Sequence, residues 1–152
     1  MVQLTLPSFE YKTKQVLNKR YILDLVRKKY VLLTPEEWVR QHMLHYLIHY
    51  CAYPKGLCCL EKRIYNSISY YKPDIMLCDK LGITRMVVEC KAPYIKLTDK
   101  TLGQIMQYNR QLMVNYLLVT NGITHFCWQW EKDLGCFQSI NYIPIYQTHL
   151  LD

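Results

Sequence analysis

Two short apolar runs, Ile75-Met76-Leu77-Cys78 and Arg85-Met86-Val87-Val88-Glu89-Cys90, are separated by Asp79 and a Lys80-Leu81-Gly82 break. Runs of this length divided by turn formers predict a β-hairpin. The hairpin constrains chemistry as well as shape. Antiparallel pairing brings Asp74, at the start of one strand, beside Glu89 and Lys91 at the end of the other. With a side-chain period of two, Glu89 and Lys91 leave one face while Cys90 points to the opposite one. Two carboxylates in one place can hold a hard divalent cation through oxygen, and a neighbouring ammonium can steady a water or a developing anion. The same spacing also suits an exposed cross-strand ion pair, worth at most about 1 kcal/mol, so the rest of the chain has to decide between them.

Upstream of the hairpin, Thr34-Pro35-Glu36-Glu37 is a helix start: an N-cap hydroxyl, a proline at the first helical position, and acids facing the positive end of the dipole. The helix is expected to run to about Tyr50, with Trp38, Leu44, Leu47 and Ile48 as its buried stripe. His42, His45 and His49 share a face of it, but no acid or cysteine joins them. An ordinary helix face is therefore expected there rather than a metal site. Residues 1–15 show no sustained period and are expected to form an irregular arm, with a short pairing near Leu4 to Leu6. For Lys19 to Val31, periodicity leaves open a pair of strands or a short basic element. Arg27, Lys28 and Lys29 are expected on a solvated surface.

Leu57 to Tyr65 is a strand candidate. A second helix is expected from about Asp99 to Val114, with Leu102, Ile105, Met106 and Met113 on its apolar side. Asn115 to Thr120 and Ile123 to Trp130 are predicted strands joined by a type I′ turn at Asn121-Gly122. Gln138 to Ile145 is a candidate edge strand. The order is helix, three strands, helix, two strands, which predicts an α/β fold with a mixed sheet flanked by helices.

A chain of 152 residues, 51% hydrophobic, is long enough for one sizeable core, so a single domain over residues 1–152 is expected. A net charge of +7 favours a polyanionic partner, nucleic acid before a membrane surface. The seven cysteines contain no CxxC pair, which argues against a zinc ribbon or a closed disulfide framework and fits a reducing cytoplasm. Met1 to Glu10 lacks a basic segment followed by an apolar run, and no window approaches a membrane span, so neither secretion nor membrane insertion is expected. No GxxxxGK[ST] loop is present, which excludes an ATP-driven motor of that type in this sequence.

Pro73-Asp74 followed by Glu89-Cys90-Lys91 resembles the signature of the PD-(D/E)xK nuclease superfamily. Together with Pro35-Glu36-Glu37-Trp38-Val39-Arg40-Gln41 and the QxxxY arrangement of Gln104 and Tyr108, it resembles the N-terminal domain of type I restriction enzyme R subunits (HsdR) over roughly residues 18–131. The resemblance implies a restriction-endonuclease-like α-β-β-β-α-β core, with the N-terminal arm and C-terminal segment peripheral. It implies Mg²⁺-dependent cleavage of DNA phosphodiesters, with Mn²⁺ able to substitute. On this reading Asp74 and Glu89 are metal ligands, joined by the Cys90 carbonyl, and Lys91 orients or helps deprotonate the attacking water. Glu36 or Glu37, with Glu37 preferred, reaches toward the metal from the first helix. Gln104 positions the substrate or Lys91, with Tyr108 in support. Arg40, Lys96 and Lys100 flank these elements and are candidates for phosphate contact. Separately encoded restriction or helicase subunits are the implied protein partners. The alternative is a non-catalytic nucleic-acid-binding or assembly module on the same fold.

Overall fold

The computed structural model describes residues 2–65, 70–98, 101–103, 105–106 and 114–146, with the side chain of Ile64 left aside. Helix α1 (Pro35–His49) starts as its sequence dictates: Thr34 Oγ1 accepts the Glu37 N–H at 3.0 Å and Pro35 occupies the first turn. Its buried face is broader than the expected stripe. Val39 and Met43 join Trp38, Leu44 and Leu47, while Ile48 is only half-buried.

The central sheet contains β4 (Cys58–Leu60), β7 (Ile75–Cys78), β8 (Thr84–Cys90), β9 (Tyr116–Thr120), β10 (His125–Glu131) and β11 (Cys136–Ile140), in the spatial order β11-β10-β9-β8-β7-β4. Among the described residues only β8 and β9 pair in parallel. A parallel pair needs a crossover, and residues 101–103 and 105–106 within that connection are helical. Val114, the expected end of that helix, is not helical, and the other residues of the expected span, including Gln104, Tyr108 and Lys100, lie outside the described residues.

Strand alternation divides the core into two layers. Ile75, Leu77, Met86, Val88, Cys90 and Leu118 pack with Val39, Met43, Leu44 and Leu47 of α1. Met76, Val87, Leu117 and Val119 pack with Trp128 and with Ile105 of the crossover. The sheet is thus covered on both faces, which explains why its central strands read as continuous apolar runs.

The β7–β8 hairpin forms with Ile75 opposite Val88, and its register shifts between Leu77 and Cys78. Asp79 closes the loop: its Oδ1 accepts the Leu81 and Ile83 N–H groups at 2.9 Å each, and its Oδ2 accepts Arg85 Nε at 2.7 Å. Gly82 takes φ +79° in that turn, a value glycine adopts without steric cost.

Several expected elements differ. The first 15 residues are not all irregular: β1 (Thr13–Val16) pairs with β2 (Lys19–Leu23), which pairs with β3 (Tyr30–Leu32) in a separate antiparallel sheet. Every residue of β1 is exposed, so no hydrophobic period marks it. The expected pairing near Leu4 to Leu6 is a docking of Thr5, whose N–H donates to the Gly122 carbonyl at 2.9 Å. Leu57 to Tyr65 splits into a 3-10 turn (Lys55–Leu57), β4, and β5 (Ile64–Tyr65), which pairs with β6 (Tyr70–Tyr71) in its own ribbon. Asn121-Gly122 is not a two-residue type I′ turn. Thr120 pairs with His125, leaving four loop residues, and among residues 121–124 only Gly122 has positive φ. Asn121 Oδ1 instead accepts the Ile123 and Thr124 N–H groups at 3.0 and 2.8 Å, an Asx turn. Positive φ at two successive turn residues occurs at Leu17 and Asn18, between β1 and β2.

All seven cysteines are unpaired. Among the described residues no helix is long and apolar enough to cross a membrane.

Candidate active site

Pro73 places Asp74 one residue before β7, where its carboxylate can cross-link the sheet end. Oδ2 accepts the Cys90 N–H at 2.6 Å, tying the start of one hairpin strand to the end of the other. Oδ1 accepts Arg40 Nη2 at 2.5 Å, tying the same point to α1. Asp74 is 9% exposed.

Glu89 follows the parity of Val87 and is 8% exposed. Tyr71 Oη donates to its Oε1. Burial, and then the charge of Asp74, push the Glu89 carboxyl up to about 7, while Tyr71 and Lys91 pull the other way. Lys91 is half-buried, and its N–H donates to the Thr120 carbonyl of β9 at 2.8 Å. Glu36 completes the group. Its carboxyl is raised by burial and by Asp74, and lowered by Lys91 and Arg40. The end of the hairpin and the first turn of α1 therefore share one electrostatic neighbourhood containing Asp74, Glu89, Lys91, Glu36 and Arg40.

Glu37 faces a different set of groups. Its Oε1 accepts Arg27 Nη2 at 2.6 Å and Gln41 Nε2 at 2.7 Å, and its Oε2 accepts Arg40 Nη1. Gln41 Nε2 and Arg27 Nε also donate to Asp24 Oδ2, at 2.6 and 2.9 Å. Arg27 Nη1 donates to Glu61 Oε2 at 2.9 Å, and Lys72 Nζ lies 3.3 Å from Glu61 Oε1. Of the two first-turn acids it is thus Glu36 that senses Asp74 and Lys91. Adjacent positions on a helix point about 100° apart, and the two acids reach Arg40 from different directions.

The other anticipated residues fall as follows. Arg40, expected near phosphates, is 6% exposed and bridges Glu37 and Asp74. Burial works against its charge, but the two carboxylates overcome that and hold it protonated. Arg27, expected on a solvated surface, has a side chain only 14% exposed because three acids surround it. Lys96 is exposed. Cys90 is fully buried and contributes its N–H to Asp74. On α1, the His42 ring lies 3.0 Å from the Trp38 carbonyl and His45 stacks on Phe9 at 3.8 Å, so His42 and His45 pack against the N-terminal arm while His49 is exposed. Asp24, Glu61 and Tyr71 are interacting residues that sequence reasoning did not place, and the roles of Arg27 and Gln41 inside the acid network were not anticipated either. Two local spacings could have signalled parts of it: Arg27 three residues after Asp24, and Gln41 four residues after Glu37.

Among the described residues, no three or more histidine, cysteine, aspartate or glutamate side chains are gathered so as to hold a metal ion. The donor chemistry nevertheless fits a hard dication. Asp74 and Glu89 offer carboxylate oxygens, Glu36 stands near them, and a cation would offset both the burial and the Asp74 charge that raise Glu89. Arg40 supplies part of that relief, to Asp74 at 2.5 Å and to Glu36 at 3.6 Å.

Comparison with known proteins fits this arrangement. The family model for the type I restriction enzyme R protein N terminus matches residues 35–144, from the first turn of α1 past the last strand of the sheet. No curated protein matches the sequence. A solved fragment described as an HsdR subunit of a type I restriction enzyme from Vibrio vulnificus YJ016 superposes with a TM-score of 0.50 at 15% identity, covering 74% of this chain and 24% of that one. That likeness shows a shared fold, and this chain spans about a quarter of the length of that relative. With the family model matched across most of its length, including Glu36, Asp74, Glu89 and Lys91, the chain belongs to the type I restriction enzyme R protein N-terminal family.

Proposed function

We propose that this domain is a metal-dependent endonuclease of the PD-(D/E)xK type, acting on DNA phosphodiester bonds within a restriction system. α1, strands β4, β7 and β8, the crossover helix and β9 would form its restriction-endonuclease-like core. The observation that carries the reading is the convergence of Asp74, Glu89 and Lys91 at one end of the β7–β8 hairpin, with Glu36 facing them from α1.

Asp74 and Glu89 would hold Mg²⁺ or Mn²⁺, which when bound would neutralise charge on the scissile phosphate and lower the pKa of a coordinated water. The chain's own groups do the rest. The Cys90 N–H fixes Asp74 and the Tyr71 hydroxyl fixes Glu89, so both carboxylates are preorganised. Lys91, an ammonium with three donors and no acceptor, orients the attacking water and stabilises the anion that develops as it attacks. Glu36 accepts a hydrogen bond from the same water shell. Gln104 and Tyr108 are proposed to position the substrate and Lys91, while Lys96 and Lys100 contact phosphates. Separately encoded restriction or helicase subunits would supply translocation.

Nicking of supercoiled plasmid with Mg²⁺ or Mn²⁺, wild type against Lys91→Ala, tests this. Cleavage by wild type alone supports it; cleavage by both or by neither overturns it. The hold of Arg40 on Asp74 favours a second reading, a module that binds nucleic acid or assembles partners without cutting. DNA binding without either cleavage or metal binding would establish that one.

A further inference from the structure

Beside the acid cluster lies a pocket of about 340 Å³ that the proposed chemistry does not use. Leu33, Pro35, Trp38, Pro93 and Tyr94 supply its apolar walls, and Arg20 stands at it. The volume is at the lower end of the range for small-ligand sites, roughly 300–1,000 Å³. Chain connectivity ties it to the site on two sides: Pro35 immediately precedes Glu36, and Pro93 lies two residues beyond Lys91. The α1 N-terminus and the segment leaving β8 therefore form the edge of the acid cluster and the walls of the pocket at once.

The walls differ in kind. Trp38 is a fixed floor, 8% exposed, with Nε1 donating to the Val2 carbonyl at 3.3 Å and Tyr11 packed edge-on at 5.1 Å. Tyr94 is 75% exposed. Arg20 and Lys96 are exposed cations of a chain carrying +7 overall. An apolar pocket with an exposed aromatic ring and a guanidinium at it has the make-up of a site for a planar ring attached to a phosphate. In a duplex both faces of every base are covered by its neighbours, so such a slot can accept a base only from an unpaired or extruded nucleotide.

We propose that this pocket is a nucleobase subsite, holding one base of an unpaired DNA strand against Tyr94 while Arg20 contacts that nucleotide's phosphate. The proposal rests on the nuclease reading for its substrate class. It makes the domain selective for single-stranded or locally opened DNA at the point of cleavage.

The test uses the full chain in chelator, so that no cleavage occurs, and single-stranded oligodeoxynucleotides carrying one 5-iododeoxyuridine. Photocrosslinking should map by mass spectrometry to Tyr94 or Trp38. Tyr94→Ala should bind the single strand roughly tenfold more weakly, as expected when one base loses its stacking partner, while Tyr94→Phe restores affinity and duplex binding is unchanged. Crosslinks elsewhere, or a Tyr94→Ala effect that is absent or equal on single strand and duplex, overturn the subsite. Plasmid nicking by the same preparations with Mg²⁺ separates the two claims: nicking with Tyr94-independent binding overturns the subsite alone, and Tyr94-dependent binding without nicking overturns the nuclease reading alone.

Discussion

Two groups of acids meet at Arg40, and they are compensated very differently. On one side Asp24, Glu37 and Glu61 share Arg27, Arg40 and Lys72, with Gln41 filling remaining acceptor positions. Each acid there has a cation in direct contact, and the network joins the β2–β3 turn to α1 and to the segment after β4. On the other side Asp74, Glu89 and Glu36 have Lys91 and what Arg40 can spare, and Glu89 is left with its carboxyl raised to about 7. A matched network of buried charges holds elements in place, whereas a deficit of positive charge among fixed carboxylates is a place for something that arrives from solution. On the proposed reading the difference separates scaffold from site, although Glu36 and Glu37 are adjacent in sequence.

The comparison breaks most readily at Glu37. Glu37→Ala leaves Arg27 and Arg40 without their shared partner in a buried setting, a change that costs about 3–5 kcal/mol. Denaturant melts should show that loss, a large part of the typical margin of roughly 5–15 kcal/mol. A variant as stable as wild type would mean that the network is not structural.

On the site side the expected effect is on rate. Lys91→Ala removes one charge-stabilising group from the reacting centre and should slow cleavage by about a hundredfold or more, equivalent to roughly 3 kcal/mol, with the melting temperature nearly unchanged. Single-turnover cleavage at fixed Mg²⁺ measures it.

The raised Glu89 carboxyl carries a stability signature of its own. Because the folded state holds this proton up to about pH 7 and the unfolded chain releases it near the ordinary glutamate value, the folded state binds more protons in between. Stability in chelator should therefore fall as pH rises through that window, by on the order of 3 kcal/mol in all. Glu89→Gln should flatten the slope. Stability curves of wild type and Glu89→Gln that stay parallel from acid to neutral pH would contradict the assignment of the strain to Glu89.

The smallest effect belongs to the element that sets the two acids side by side. Thr34→Ala removes the cap from Glu37 N–H and should cost about 1 kcal/mol in thermal or denaturant melts.

The hairpin, α1 and the β9–β10 pair were legible because each is specified locally. Apolar runs flank Lys80-Leu81-Gly82, Thr34-Pro35 marks a helix start, and Asn121-Gly122 marks a reversal even though its detailed geometry differs. The N-terminal sheet was not legible, since β1 buries nothing and turns at Leu17-Asn18 rather than at a glycine. Within the site, the neighbours Asp74, Glu89 and Lys91 followed from strand parity and antiparallel pairing. The division of labour between Glu36 and Glu37 did not, because it is decided by Arg27, which arrives from the β2–β3 turn and claims Glu37. Only the tertiary structure brings that guanidinium there.

Titration calorimetry of Mg²⁺ into wild type, Asp74→Ala and Glu37→Gln tests the division between scaffold and site most directly. Wild type and Glu37→Gln should take up the cation and Asp74→Ala should not, while all three retain affinity for DNA. No binding by wild type, or binding that survives Asp74→Ala, would contradict it.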